Sequence, residues 1–354
     1  MSPIFHILEP HSDGHRMQYV RRIIEALPPD QDVALSTFPS SLDHPSFTKV
    51  REVGGGRLQV HCMGGEQEFK AKVKGKDGLG LHPAYWSLFR RHWRSLSPEV
   101  RGTHVMVPYL DYCSYAIAAL GSPFGKTPFE GILMRPDFHW AEMGVKAPPS
   151  KLGWLKKVLL LRLLKYPKTL RLFTIDPSLR DWAAKHKPLG HERIEYMEDP
   201  SDMHGVGENK EGRAFFGIPE GKKVILLFGA IDPRKGLKGL LNLLRNPSTG
   251  RDILALVVGR QNEAAKCMIR SAALPQAKLI ARDGYVDSQE EWLAFQAADW
   301  IWLAYEGFYG PSGVLAQARQ VRKPVIHRGE GLIGYYFRHN SADHNIDLTL
   351  VSEL

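Results

Sequence analysis

The feature that most limits the fold is a repeated alternation of short apolar runs with segments of helical period. "PIFHILEP" has the pattern of a short buried strand and is followed by the turn "HSDG". "HRMQYVRRIIEAL" then places apolar residues at 17, 20, 23, 24 and 27, which is helical spacing, and "DVALSTF" is a second strand pattern. Strand, loop, helix, strand is how a parallel α/β sheet begins. The alternation continues through "PAYWSLFRRHWRSL", "HVMVPYL", "DYCSYAIAAL", "EGILMRP", "WLKKVLLLRLLKY" and "TLRLFTI". It pauses at the loop-rich "DPSDMHGVGENKEG" and resumes with strand patterns "KVILLFG", "DILALVVG", "AKLIARD", "DWIWLAY" and "KPVIHRG". A length of 354 residues suits about two domains. The expected organisation is therefore two α/β halves with parallel sheets, 1–205 and 206–354. In such sheets ligands bind beyond the carboxyl ends of the strands.

Residues 51–82 break the pattern. They are rich in Gly and Lys and show no helical period, which predicts short strands or a mobile loop. If extended, the segment would carry Lys70, Lys72, Lys74 and Lys76 on one face. That face would be a solvated edge that resists aggregation, or a loop that contacts phosphate or an acceptor.

Charge narrows the choice of partner. The formal net charge of +9 and pI near 9.3 favour anions: phosphate-bearing ligands, nucleic acid or an acidic membrane face. No nucleic-acid-binding module accompanies the charge, so a basic nucleic-acid-binding α/β protein is a minor alternative. The three cysteines, Cys62, Cys113 and Cys267, have neither metal spacing nor disulfide spacing, as expected in a reducing cytoplasm. The N-terminus lacks a signal-peptide apolar core, and no run approaches the ~18 apolar residues of a membrane span. The stretch 151–173, "KLGWLKKVLLLRLLKYPKTLRLF", is basic, amphipathic and Trp-bearing. It fits a connecting helix packed on the sheet, a helix lying on an anionic membrane, or both.

Two strand-to-helix junctions carry chemistry. In "VILLFGAIDPRKGLKGLLNLL" a strand ends at Gly229, Asp232 is a candidate N-cap and Pro233 suits the first helical position. Arg234 and Lys235 then fall in a first turn, where cations oppose the helix dipole unless an anion is bound. The second junction is "YEGFYGPSGVLAQARQVRKPVI". Here Glu306 precedes Gly307, Gly310 and Gly313, which permit unusual backbone and close approach by a ligand. Ser312 is placed to cap the following helix, whose first N–H groups suit a phosphate.

Taken in order, "FGAIDPRKG", "VVGR", "GYVDSQEEWLAFQAADWIWLAYEGF" and "RKPVI" resemble the C-terminal half of a family 4 glycosyltransferase. The resemblance covers roughly 215–345 well. It extends more weakly to 1–200 through "EPHSDGHRMQYVRRI" and "FTIDPSL". It implies a GT-B fold: two Rossmann-like domains with parallel sheets facing an interdomain cleft. The implied activity is transfer of a sugar from a nucleotide diphosphate sugar, with retention of anomeric configuration. The implied acceptor is a polysaccharide, lipopolysaccharide or lipid-linked glycan. No metal or other cofactor is expected, because GT-B enzymes stabilise the leaving diphosphate with cations and helix N-termini. The implied location is cytoplasmic, with peripheral contact at the inner membrane face as a possibility. Retention would proceed by same-face attack or through a short-lived covalent intermediate.

Residue by residue, Lys235 matches the family lysine on the donor diphosphate, with Arg234 beside it. Glu306 matches the first glutamate of the E-x7-E motif, which lies against the donor sugar. Phe308 to Val314, including Gly310, Ser312 and Gly313, match the loop holding the β-phosphate. Gly284, Tyr285 and Val286 match the segment near the base. Gly259 and Arg260 end another strand of this half, and Arg260 is a candidate replacement cation. In the N-terminal half the cleft loop is expected to present Gly14 with His15 and Arg16. The family's catalytic histidine position holds Arg135, with Asp137 and His139 just beyond. Asp111 ends a neighbouring strand and is a weaker candidate.

Departures from the pattern matter. Counted forward from Glu306, the second motif glutamate falls on Val314; counted back from "KPVI", it falls on Gln317, which preserves the helix. Ala230 stands where the family usually has arginine. These changes motivate the alternative of a GT-B-like protein that binds nucleotide sugars or glycans without transfer. The resemblance also implies further helices after "LIGYYFRHN", the last crossing back to the N-terminal domain, and this sequence is expected to end before them. Three other motifs are set aside. "DQD" at 30–32 sits in a turn, His11 and His15 are separated by Gly14, and "KDGLG" lacks strand-to-helix context.

Overall fold

The structure is a computed structural model that describes residues 4–203, 209–246, 252–340 and 345–347. It divides into two units, one of 1–143 with 149–200 and the other of 144–148 with 201–354. The predicted linker near 199–212 falls partly on 204–208, outside the described residues, as do the last residues, 348–354.

The first unit holds a seven-stranded sheet. Its strands are β1 (Phe5–Leu8), β2 (Val33–Thr37), β3 (Leu58–Cys62), β4 (His104–Val107), β5 (Phe129–Leu133), β6 (Thr169–Thr174) and β7 (Ile194–Tyr196). Their order is β3-β2-β1-β4-β5-β6-β7 and every pairing is parallel. Parallel strands are covered on both faces, which is why they read as nearly continuous apolar runs. Alternate residues feed two cores. Ile7, Leu35, Met106 and Ile132 pack under helices Arg16–Ala26 and Pro45–Gly54. Leu8, Val105, Val107 and Leu133 pack under helices His82–Ser95, Ser114–Leu120, Gly153–Lys165 and Pro177–His186.

The second unit repeats the plan with β8 (Lys223–Phe228), β9 (Ile253–Val258), β10 (Leu279–Arg282), β11 (Trp300–Trp302), β12 (Val325–His327) and β13 (Asn345–Asp347). The order is β10-β9-β8-β11-β12-β13, again all parallel. Helix Leu237–Arg245 buries Leu237, Leu240, Leu241, Leu243 and Leu244 on one side of this sheet. Each such burial contributes about 1.5–3 kcal/mol relative to exposure. Helices are started by side-chain caps: Asn262 accepts from Ala265 N at 2.8 Å, and Asp287 from Gln289 N and Glu290 N at 2.9 and 2.8 Å. In each sheet the strand order reverses direction once, between β1 and β4 and between β8 and β11. Such reversals leave a crevice outside the strand ends.

Residues 51–82 differ from expectation. The stretch contains the end of helix Pro45–Gly54, strand β3 and helix Glu66–Val73, so the lysines do not form an extended face. Lys70 pairs with Glu66 one turn earlier at 2.5 Å. Acids in the first turn and lysines in the last stabilise a helix with a single buried apolar residue, Phe69.

Candidate functional site

The crevice of the second unit is built by the loops after β8 and β11. β8 ends at Gly229, whose φ of 102° is open to glycine, and the chain runs on to Asp232. The Asp232 carboxylate accepts from Arg234 N at 2.8 Å and is an N-cap as expected, but it starts a separate 3-10 turn, Pro233–Lys235, and the helix itself begins only at Leu237, so Arg234 and Lys235 precede its first turn. Burial opposes the charge of Asp232, but hydrogen bonds and charge from Arg234 more than offset this and leave its pKa below the usual carboxylate range. The exposed Arg234 guanidinium is thereby engaged with Asp232, at 2.6 Å. Gly236 follows with φ 75°, and a Cβ there would stand 2.1 Å from Ala304 O, so only glycine lets this turn press against the end of β11.

Lys235 is held from the other loop. Its Nζ donates to Tyr305 Oη at 2.9 Å and lies 4.5 Å from the centre of the Tyr305 ring. A Cβ on Gly229 would come within 3.7 Å of the same ammonium, so the cation stands beside bare backbone at the end of β8. Lys235 makes no ion pair with any described residue. Tyr305 Oη is also 3.4 Å from Ser312 Oγ. Ser312 occupies the N-cap position of helix Gly313–Gln320, but its hydroxyl turns toward Tyr305 and makes no side-chain cap. The first bond of that helix is Leu315 N to Ser312 O, at 2.9 Å, so the N–H groups of Gly313 and Val314 precede the ladder. Of the three glycines in this loop, Gly307 alone takes a positive φ, 68°. The loop is clamped by Leu332 N donating to Tyr309 O at 3.0 Å, and by Gly331, where a Cβ would meet Tyr309 Cα at 2.7 Å. Phe308 packs edge-on against Tyr305, and Gly310 is buried.

Glu306 reaches the site by its backbone, donating N–H to Arg234 O at 2.7 Å. Its side chain goes elsewhere. Leu303 and Tyr305 belong to one core and Trp302 and Ala304 to the other, and Glu306 continues the second set. Its carboxylate pairs with Arg328 at 3.5 Å. Together they line a cavity of about 330 Å³ with Gly239 and Asn242 of helix Leu237–Arg245, Asn246 just beyond it and Trp302 of β11. The carboxylate expected against the donor sugar thus lies on the Arg328 side of the strand, away from Lys235. Arg328 was not among the expected residues; its signal is a cation directly after the strand pattern "KPVIH".

Gln317 is buried in helix Gly313–Gln320 and its Nε2 donates to Glu291 Oε1, while its own Oε1 is enclosed without a partner. The base-side candidates are well separated in exposure: Tyr285 is 73% exposed and Val286 packs against the core. Gly259 has φ 130°, and a Cβ there would meet Gly229 O at 2.0 Å, so these two glycines let β8 and β9 end in contact. Arg260 is exposed beyond them, and Ala230 is exposed and supplies no cation.

In the first unit the crevice between β1 and β4 holds a buried knot, and Arg16, expected to be presented by the cleft loop with Gly14 and His15, is instead buried in it against Glu9, which the sequence reading did not single out. Glu9 Oε1 accepts from Arg16 Nη1 at 2.8 Å and from His11 N at 3.1 Å. The guanidinium of Arg16 stacks 4.2 Å from the Tyr109 ring and 5.1 Å from Tyr112. The signal is an acid directly after an apolar strand, Glu9, and an arginine at the start of the next helix, Arg16. Gly14, at φ 63°, and His15 are exposed at the start of helix Arg16–Ala26. Asp111 accepts from Met134 N and Arg135 N at 2.6 and 2.9 Å, tying the end of β5, where Arg135 is exposed. His139 has no exposed surface; its Nε2 lies 2.9 Å from Ser178 Oγ and 3.3 Å from Asp176 Oδ2. That geometry anchors the start of helix Pro177–His186 and keeps the imidazole from any ligand in this conformation. Among the described residues, no three His, Cys, Asp or Glu side chains cluster as metal ligands.

No family model matches the sequence, and no curated protein matches it. Solved structures do. HepE from Anabaena, in complex with UDP and glucose, is 13% identical with a TM-score of 0.62 over 98% of this chain and 86% of that one. The sucrose-phosphate synthase of Thermosynechococcus elongatus is 14% identical with a TM-score of 0.64 over the same shares. The lipopolysaccharide outer core galactosyltransferase WaaB, in its apo form, is 12% identical with a TM-score of 0.52 over 93% of this chain and 81% of that one. The two units with their all-parallel sheets have the GT-B fold of these glycosyltransferases.

Proposed function

We propose that this protein is a retaining glycosyltransferase of the family 4 type. It takes a sugar from a nucleoside diphosphate sugar and passes it to a polysaccharide, lipopolysaccharide or lipid-linked glycan. The observation that carries this reading is Lys235. It is an ammonium without a counter-ion among the described residues, at the strand-order reversal of the second sheet and fixed by Tyr305, whose hydroxyl also lies 3.4 Å from Ser312 Oγ at the start of the next helix. Hydrogen bonding to Tyr305 orients the cation without neutralising it, which leaves its charge for an anion. HepE, with the same fold, is known in complex with UDP.

In the reaction, an acceptor hydroxyl oxygen bonds to the anomeric carbon as the bond from that carbon to the diphosphate oxygen breaks. The electron pair leaves with the nucleoside diphosphate, and the acceptor proton passes to the departing phosphate oxygen on the same face. Lys235 offsets the charge that builds on the leaving oxygen, aided by the N–H groups of Gly313 and Val314. At about 4 Å and an effective dielectric near 20, one such cation interacts with unit charge by roughly 4 kcal/mol before desolvation. These groups need no metal for that purpose. Glu306, across the strand, orients the donor sugar only if its pair with Arg328 opens or if both line the sugar's pocket. The exposed loops of the first unit around Gly14, His15 and Arg135 recognise the acceptor.

The Glu306–Arg328 pair, Ala230 and Gln317 favour a second reading, a protein that binds nucleotide sugars without transfer. One experiment separates the two. The protein is incubated with a panel of UDP-, GDP- and ADP-sugars, and free nucleoside diphosphate is measured. Release that falls 10²–10³-fold in Lys235→Ala supports the enzyme, the range typical for loss of one stabilising group. Binding that depends on Lys235, without turnover on any acceptor tried, supports the second reading.

A further inference from the structure

We infer that the second unit carries a site for one neutral sugar ring on the Arg328 side of β11, bound without help from Lys235. The site is the cavity of about 330 Å³ that Glu306 and Arg328 share with helix Leu237–Arg245. Tyr305 and Glu306 are neighbours in an extended run past β11, so their side chains leave it on opposite sides. Lys235 is bonded to Tyr305, and the cavity belongs to the Glu306 side. The inference therefore stands whether or not Lys235 holds a diphosphate.

The polar lining of this cavity is unspent. Glu306 and Arg328 lie 3.5 Å apart, close enough to attract but without a hydrogen bond between them, and neither side chain bonds to another described residue. Asn242 is exposed on the helix and its amide makes no hydrogen bond with a described residue. Trp302 is 2% exposed, yet its indole N–H is enclosed without a partner. A carboxylate that accepts, a guanidinium and an indole that donate, and an amide that does both thus line one small space. The opposite charges of Glu306 and Arg328 cancel, so the cavity offers no net charge to an anion or a cation. An acidic ligand would meet Glu306, and an amine would meet Arg328. A hydroxyl both donates and accepts, and a ring bearing several of them uses the whole set at once. The rest of the wall includes Leu243 and the Trp302 ring. Gly239 leaves that ring bare on the helix side, since a Cβ there would touch Trp302 Cζ2 at 3.5 Å. Bare indole suits the C–H face of a sugar. Small-molecule sites run from about 300 to 1,000 Å³, so this volume fits one ring rather than a chain.

The test is saturation-transfer NMR of the full chain with free glucose, galactose and mannose, and with glucuronate and glucosamine as charged analogues. At least one neutral hexose is expected to bind, and its charged analogues severalfold more weakly. Arg328→Leu and Asn242→Leu each lower the affinity about tenfold, by removing a hydrogen-bonding group and filling the cavity. Both side chains are exposed, so the variants keep the fold, which circular dichroism checks. Methyl hexosides separate two sources of the ligand: equal binding points to the terminal residue of a glycan, and lost binding to a free hexose. Saturating UDP leaves the hexose signal in place. Failure of UDP to bind would count against the reading of Lys235 and not against this site. No binding of any neutral hexose, equal binding by both leucine variants, tighter binding of a charged analogue, or displacement of the hexose by UDP would each overturn the inference.

Discussion

Restoring glutamate at position 317 is expected to damage this protein. The family resemblance places the second motif glutamate there, so Gln317→Glu is the obvious attempt to strengthen donor binding. In the structure the Gln317 amide is buried and donates to Glu291. The substitution removes that charge-assisted bond, worth about 1.5–3 kcal/mol, and sets a second carboxylate against the first. Two unit charges at about 4 Å with an effective dielectric near 20 repel by roughly 4 kcal/mol. Protonation limits the cost, since one carboxyl of ordinary pKa near 4.3 can be neutralised at pH 7 for about 1.36 × 2.7, or roughly 3.7 kcal/mol. At pH 5 the same step costs only about 1 kcal/mol. The pair therefore binds a proton in the folded state that the unfolded chain releases. The variant's stability is highest at low pH and is lost as pH rises through neutrality. Urea denaturation at pH 5 and pH 7 measures this directly. The deficit relative to the parent should grow by about 2.7 kcal/mol between them, and Glu291→Gln added to Gln317→Glu should remove most of it. A deficit independent of pH, or no rescue by the second substitution, refutes the argument that Gln317 is there as the donor to Glu291.

Other outcomes follow from the same contacts. Tyr305→Phe removes the hydroxyl that holds Lys235 but keeps the ring, so nucleoside diphosphate affinity, read by calorimetry, should fall about 5–10-fold and less than in Lys235→Ala. Asp232→Ala deletes the cap on the turn carrying both cations and should cost about 1 kcal/mol by urea denaturation. Burial pushes His6, His82 and His92 down to about 4, so these rings stay neutral in the fold while the unfolded chain protonates near 6.5. Stability should be level above pH 7 and fall below about 6.5 by up to about 1.4 kcal/mol per pH unit for each ring until pH 4, as tested by denaturation at pH 7, 6 and 5.

Much of the fold was legible because parallel strands are buried on both faces and so print as apolar runs. Ten strands were read from such runs, and all ten are present. The strands missed or left open have other physics. β7 is a three-residue edge strand of half-buried residues, and β3 has no fully buried residue and lies at the opposite edge. Helix Glu66–Val73 is held by end charges and one phenylalanine, which leaves no 3.6-residue apolar stripe to detect.

The site was legible to the extent that backbone chemistry fixes it. Asp232, Pro233 and Gly236 dictate a turn, and the turn delivers Lys235 to the strand-order reversal whatever the rest of the chain does. Side-chain direction was not legible at Glu306, because it depends on where an extended segment stops alternating. Trp302 and Ala304 face helix Leu237–Arg245 and Leu303 and Tyr305 face the other core, and the alternation persists to Glu306, four residues past the end of β11. A single residue of slip at that point would exchange Tyr305 and Glu306, putting a carboxylate on Lys235 and neutralising it. The clamp that prevents this lies outside the motif: Glu306 N on Arg234 O sets the register, and Gly331 and Leu332 N hold Tyr309. The lysine remains available to an anion because a hydroxyl, rather than the neighbouring acid, is the group that the backbone register brings to it.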